Sequence, residues 1–577
     1  MSYGDAHMRA RRLARLCVVA TLAGIFLIAT AVPAWAHATL MQTDPPKDGV
    51  VAISPPELSL GFNENVEVSF GAIRVYTCAG TRVTTGSPHH SATSDHTVVV
   101  SIPKLASGIY LVAWRVISAD AHPVGGTYAF RIGAGAAPSV NGCATETNAA
   151  SSKTVGILFG AARAGVFAGL ALLIGGVVFL LLIASGSSAG WSTRRAIWIG
   201  WALLAISTAA ALMLQGPYAA GSGLGDAVKW SVVHDVLQTR YGHVTEVRAL
   251  LLAVALALLA FLGNFVRGRR APIWWIVAAV IVAIGLAGTP GFAGHAATGD
   301  FTILAVPLDT IHVLAMSVWL GGLVVLLFSA LGGGFSGGLR RALATFSRVA
   351  FWCVVVLVLS GVFASWRQVG FAIRGYTDTS YGNILLIKLA VVLGLIGLAA
   401  ISRSIVRRHR SAPLNAPDSA IAAIDERTVV GLRKSVAGEV VFGVAVLAVT
   451  ALLVNAQPAR SELAPKLYSA TVSAGTGQSA LSVTVTIDPA RVGVNTIHVY
   501  TLTTKGADLT VRDISAKLVN RSGTSVPANL VRAGPNHFLT SSASITEGGK
   551  YQMLVQVLQV IDGRLIDTPA VFNVPIR

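Results

Sequence analysis

The sequence predicts a multi-domain membrane protein: an eight-helix transmembrane bundle flanked by two extracytoplasmic β-sandwiches. Three observations carry this. Of 577 residues, 53% are hydrophobic and only 12% charged, which is too apolar for a soluble chain and long enough for several domains. Between 155 and 456 lie eight apolar runs, each long enough for the ~20 residues that cross a bilayer. On either side the pattern changes to short alternating segments punctuated by Gly, Pro and Asn, the mark of small β-sandwiches.

The first 36 residues read as a secretory signal peptide. Arg9, Arg11, Arg12 and Arg15 precede an apolar run from Leu16 to Val32, and Ala34-Trp35-Ala36 supplies the A-x-A cleavage signature. Cleavage there leaves His37 at the new amino terminus, where its amine and ring can chelate one metal.

From 37 to about 135 the predicted strands are Glu57–Phe62, Val66–Tyr76, Thr97–Ile102, Gly108–Ile117 and Gly126–Ile132. In ISADAHPVGGTY, from Ile117 to Tyr128, Asp120 and His122 are two apart and point the same way in an extended chain. With His37 they make a nitrogen-rich, carboxylate-supported set that suits Cu(II). His89, His90 and His96 are expected in a solvated polar loop. Cys78 and Cys143 both fall in exported sequence and are candidates for a disulfide. Cys17 lies in the leader and Cys353 in an apolar helix. Residues 136–154, rich in Ala, Gly, Ser, Thr and Asn, read as a flexible tether.

The eight spans are expected near 155–185, 195–216, 247–266, 272–290, 303–331, 347–370, 383–405 and 436–456. The net charge of +18 does not point to nucleic acid, because there is no basic stripe with interleaved aromatics. The basic residues sit instead in short connections: Arg194 and Arg195, Arg267 to Arg270, Arg340 and Arg341, Arg407 to Arg410 with Arg433 and Lys434. Every odd-numbered connection is thereby assigned to the cytoplasm, and both ends of the block to the outside.

The stretch with most chemistry is Gly291–Gly322, GFAGHAATGDFTILAVPLDTIHVLAMSVWLGG. Asp309, His312 and Met316 are spaced i, i+3 and i+7, one side of a helix, with His295 in the loop before it. Ionisable residues at membrane depth usually mark an ion or proton path. A carboxylate, two imidazoles and a thioether form a transition-metal ligand set that leans toward copper. The plain alternative is that His312 only hydrogen-bonds a neighbouring helix. Arg163 and Lys388, near outer ends of spans, are placed to snorkel, and Glu439 to pair with Lys434 or accept a proton; a structural role is expected for all three, because ends of spans tolerate charge.

HATLMQTDPPKDGVV, PPELSLGFNENVEV and ISADAHPVGGTYAF resemble the periplasmic copper-binding CopC family. This implies a cupredoxin-like or Ig-like β-sandwich with Cu(II) ligands at His37, Asp120 and His122. Ala121 stands where that family usually has Gly. The Met-rich Cu(I) loop of some members is missing, so no separate Cu(I) site is expected there. TRYGHVTEVR, GHA, DTIHVLAMSVWLGGL, FSRVAF and SYGNILLIK resemble the CopD membrane family. Joined in one chain, the two look like copper-acquisition proteins of the YcnJ type. The resemblance implies copper movement, generally inward, as part of copper homeostasis and resistance. The expected partners are a copper ion, the bilayer and an extracytoplasmic copper chaperone. The copper is Cu(II) outside, and Cu(I) is favoured by the softer ligands within. No residue here supplies the electron for that change, and no Walker A or phosphorylatable Asp signature points to ATP.

Beyond 460, alternation in Leu481–Ile487, Thr496–Thr503, Ala528–Arg532 and Tyr551–Val560 predicts the second β-sandwich, with His498 and His537 as isolated structural histidines. DPARVGVNTIHVY resembles the Ig-like extracytoplasmic domain attached to some CopD relatives. Two other functions compete: a resistance or sensing module that binds copper without moving it, and a copper oxygenase built on the amino-terminal His. Against the oxygenase, Asp120 is placed to take the coordination position that oxygen needs.

Overall fold

The computed structural model describes residues 38, 40–47, 49–92, 94–119, 123–133, 153–182, 190–265, 271–299, 301–328, 339–408, 426–463, 468–488, 490–503, 511–532 and 537–576. The leader and most of the tether lie outside these residues.

The N-terminal domain is a two-layer β-sandwich. One sheet orders Leu40–Asp44, Glu57–Phe62, Ser94–Ser101 and His89–Ser91. The other orders Gly49–Val51, Pro123–Ile132, Gly108–Ser118, Val66–Thr77 and Arg82–Val83. Pairing is antiparallel except between Gly49–Val51 and Pro123–Ile132. ELSLGF shows the cause: its alternation puts Leu58, Leu60 and Phe62 into the core, facing Val75, Val112, Tyr128 and Phe130. Each fully buried large side chain contributes roughly 1.5–3 kcal/mol. The three loop histidines are a correction. His89 and His90 lie on one strand and His96 on the next, because His90 Nε2 bonds the Val66 carbonyl at 2.8 Å and fastens that edge.

Among the described residues, eight helices are long and apolar enough to cross a membrane: α1 (Lys153–Leu182), α2 (Ser192–Ala220), α3 (Arg240–Leu262), α4 (Ile273–Phe292), α5 (Thr302–Phe328), α6 (Ala342–Val369), α7 (Ser380–Val406) and α8 (Val429–Asn455). α3 begins seven residues before the predicted apolar run. Thr239 caps it, its hydroxyl accepting the Gly242 N–H, so the polar turn RYGHVTE is helical as well. Thr379 caps α7 in the same way at Gly382.

Small residues set the closest helix crossings, as expected where lipid supplies no hydrophobic drive between helices. A Cβ at Gly169 would lie 2.6 Å from the Leu204 amide of α2. A Cβ at Gly321 of α5 would overlap the Ala171 carbonyl, and one at Gly175 would overlap the Ser317 carbonyl. Residues 171–175 form a π-turn inside α1 at this contact. The WLGG end of the notable stretch is therefore where α5 packs on the widened turn of α1.

The C-terminal domain pairs a five-stranded sheet (Tyr468–Ala474, Leu481–Asp488, Gly493–Thr503, His537–Ile545, Val531–Arg532) with a four-stranded one (Ser525–Ala528, Val511–Asn520, Gly549–Ile561, Arg564–Ile576). Val483, Val485, Ile497, Val499, Met553 and Phe572 lie in its core. His498, Tyr500 and His537 share the opposite face of the five-stranded sheet, with Tyr500 directly across from His537. The expectation of isolated histidines is corrected: His498 Nδ1 and His537 Nε2 are 2.9 Å apart. Burial, then the neighbouring imidazole, lowers the His498 pKa to about 4, and burial lowers that of His537.

Candidate metal path

His37, Asp120 and His122 lie outside the described residues, but the residues beside them are fixed. Ala38 is buried and donates its N–H to Ser118 Oγ at 3.2 Å, and Ser118 Oγ donates to Glu64. Ile117 pairs with Pro123, so residues 118–122 join two adjacent antiparallel strands. Ala38 and the end of the strand that leads into this connection are thus fastened together across 80 positions of sequence. Cys78 is disulfide-bonded, and Cys143, its expected partner, lies outside the described residues.

The N-terminal domain docks on one end of the bundle. Ile117 is buried among Phe159, Leu214, Val236 and Tyr241. Arg115 donates to the carbonyls of Ala219, at 2.5 Å, and Tyr218, at 2.9 Å, where α2 ends. Arg240, the first residue of α3, makes the central connection. Its backbone N–H donates to Glu67 Oε1 at 3.0 Å, and its Nη1 donates to the Ala119 carbonyl at 3.1 Å. Its Nη2 donates to the carbonyls of Phe292, at 2.8 Å, and Ala297, at 3.4 Å. Burial pushes the Glu67 carboxyl up, opposed by the bond and charge from Arg240. One guanidinium therefore holds both the peptide just before Asp120 and the turn that carries His295.

His295 opens a single 3-10 turn, His295–Ala297, between α4 and α5. Gly299 (φ 72°) and Phe301 (φ 59°) reverse the chain in the left-handed region before α5 starts. Arg367 of α6 donates to the His295 carbonyl at 2.6 Å and to the Thr298 carbonyl. The turn and its flanks are thus held by two arginines from different helices.

Below the turn, α5 carries Asp309, His312 and Met316. Gly291 of α4 presses on the Asp309 carboxylate: a Cβ there would sit 2.6 Å from Oδ2. Lys388 of α7 and Arg367 lie in electrostatic range of Asp309, and Lys388 in range of His312 as well. His312 Nδ1 is 2.8 Å from Ser360 Oγ of α6, and that hydroxyl donates its one proton to the Val356 carbonyl at 2.6 Å. Ser360 must then accept from His312, which puts the ring proton on Nδ1 and leaves the Nε2 lone pair available. This is how a ligating imidazole is oriented, its far nitrogen donating to a fixed partner. It is also the plain hydrogen bond to a neighbouring helix that the sequence allowed. Met316 packs among Phe167, Ala168, Leu320 and Leu447.

Among the described residues no three His, Cys, Asp or Glu side chains gather where they could hold a metal ion. His295 lies on the turn and Asp309, His312 and Met316 follow along α5, without forming a cage. Sequence reasoning did not single out Arg367 or Ser360, and it expected Lys388 to snorkel. Arg240 stood in the quoted TRYGHVTEVR motif, and its role was readable only once the fold was known. Two further charges within spans have structural partners. Arg163 is pinned to Asn455 Oδ1 at 2.7 Å and stacks on Phe159. Glu439, buried in α8, accepts from Ser402 of α7, which in turn meets Ser435 at 2.7 Å.

Comparison with known proteins agrees with this layout. Residues 40–133 match the CopC domain family, 153–305 the N-terminal domain of copper resistance protein D-like proteins, and 340–453 copper resistance protein D. The copper transport protein CutJ of Bacillus subtilis (strain 168) is 27% identical over 481 residues, covering 82% of this chain and 83% of that protein. Copper resistance protein C of Escherichia coli is 32% identical over 120 residues, covering 20% of this chain and 94% of that protein. The crystal structure of CopC from Methylosinus trichosporium OB3b is 31% identical over 17% of this chain and 93% of its own, with a TM-score of 0.16. With a CopC domain at its start and both CopD segments in its helical block, the chain belongs to the copper resistance CopC/CopD family, as a fusion of the two.

Proposed function

We propose that the chain captures Cu(II) outside the membrane through His37, Asp120 and His122 and passes copper to a path through His295, Asp309, His312 and Met316, moving it inward. Copper is the cargo, and the chain acts as a carrier for copper homeostasis and not as an enzyme. The single observation that carries this reading is the Arg240 guanidinium. It bonds the Ala119 carbonyl and the carbonyls flanking His295 at once, so the outer ligand set and the first inner ligand share one mount. The basic connections favour both β-domains outside. Cys78 and Cys143 are taken as a pair bracing the outer domain.

Each inner group has a role in this reading. The His312 Nε2 lone pair is the donor that takes metal from the turn. Asp309 offsets the charge of the cation, and Lys388 and Arg367 hold that carboxylate when copper is absent. Met316 offers a soft thioether deeper in the apolar cluster. Copper uptake by vesicles carrying His312→Ala should fall at least about tenfold, the low end of what losing a metal ligand or its support costs. Uptake equal to that of the parent protein would remove α5 from the path.

A further inference from the structure

We propose that the paired imidazoles of His498 and His537 on the C-terminal domain form a two-coordinate site for a soft monovalent cation of the Cu(I) type. The inference stands apart from transport, since it concerns binding on a domain whose role nothing else assigns.

The geometry is specific. The ring nitrogens are 2.9 Å apart, the ring centroids 5.2 Å, and the planes differ by 15°. The centroid separation exceeds the nitrogen gap by about one ring diameter, so the rings meet edge to edge, nearly coplanar. A nitrogen–nitrogen hydrogen bond requires one ring to accept, and one proton fills the space between them. A cation held by two in-line bonds of about 2 Å each needs about 4 Å between the nitrogens. Parting the rings by about 1 Å supplies that. The ring that donates moves its proton to its other nitrogen, so both lone pairs face the cation and no proton is lost. Zn(II) and Cu(II) call for four ligands, whereas a d10 monovalent ion is satisfied by two imidazoles in line.

The surroundings fit a cation. Tyr500 stacks on His537 at 4.4 Å with the planes 7° apart, which fixes that ring. Asp44 of the N-terminal domain lies in electrostatic range of His537 and of Tyr500, so the other β-domain contributes negative potential at the pair. Both histidines are half-buried. The pair therefore sits on the sheet face opposite the core, open on one side and within range of the Asp44 carboxylate.

The test uses the full chain in lipid nanodiscs, with His37, His122, His295 and His312 replaced by Ala to empty the other candidate sites. Cu(I) is supplied anaerobically against a competing chelator. One equivalent should bind, and His537→Phe, which keeps the stack on Tyr500, should abolish it. Binding unchanged in His537→Phe overturns the proposal. X-ray absorption on the protein with the pair intact decides independently of any folding defect. Two nitrogen neighbours with imidazole outer scattering at about 2 Å support the site, and a sulfur shell or three or more light ligands overturns it.

Discussion

At the scale of single residues, the arginines decide how the parts communicate. Arg240 donates to three carbonyls, one at the end of α4, one on the turn of His295 and one on the N-terminal domain. Hydrogen bonds to a charged group contribute about 1.5–3 kcal/mol each, and stranded carbonyls add a cost of their own. Arg240→Ala should leave Cu(II) binding by the outer domain intact and lower copper uptake about tenfold or more. The check is to measure equilibrium Cu(II) binding and vesicle uptake on the same preparation. A parallel loss of both would point to unfolding of the domain, and no loss would separate the clamp from the path. Ser360 acts through His312. Ser360→Ala removes the acceptor for Nδ1–H and frees the imidazole to change tautomer, so the copper affinity of the bundle should weaken about 10- to 100-fold. Competition against a chelator of known affinity reads this directly. Ser360→Thr, which keeps the hydroxyl, should restore most of the loss.

At the scale of elements, the sequence was most legible where periodicity was strong. All eight spans were evident from apolar length, and strand Glu57–Phe62 from its alternation. Starts of helices were less legible, because α3 and α7 begin with polar turns held by threonine caps that an apolar count passes over. Strands Val511–Asn520, His537–Ile545 and Arg564–Ile576 were missed. The first two present polar side chains on the outer face, and the third carries Pro569 and Pro575, which an edge strand tolerates. Missing His537–Ile545 also hid the pairing of His537 with Tyr500 and His498.

That pair makes the C-terminal sheet sensitive to acid. The folded His498 holds a pKa of about 4 against an ordinary 6.5, so the unfolded chain takes up a proton that the folded one refuses. The domain's stability should stay flat above pH 6.5 and fall as pH drops from there toward 4. Thermal melts of the full chain, followed by a probe in the C-terminal domain, give this profile. His498→Phe should flatten it, and a flat profile in the parent protein would contradict the burial argument.

At the scale of the whole molecule, the chain gathers both β-domains at one end of an apolar bundle. Asp44 of the first lies in electrostatic range of His537 of the second, and Arg115, Ile117 and Arg240 seat the first domain on the helices. The sequence showed which residues had metal chemistry, since Asp309, His312 and Met316 stood out against an apolar background. It did not show what connects them to the outer domain, because Ala119, Arg240, Phe292 and Arg367 come together only through tertiary contacts between distant segments. The account makes capture at the amino terminus the entry to a continuous route. Its most direct measurement is copper accumulation by cells carrying the parent chain, no chain, or a chain whose mature terminus bears one extra residue ahead of His37. The account predicts that the extended chain accumulates no more copper than cells lacking the protein, whereas accumulation equal to the parent would contradict it.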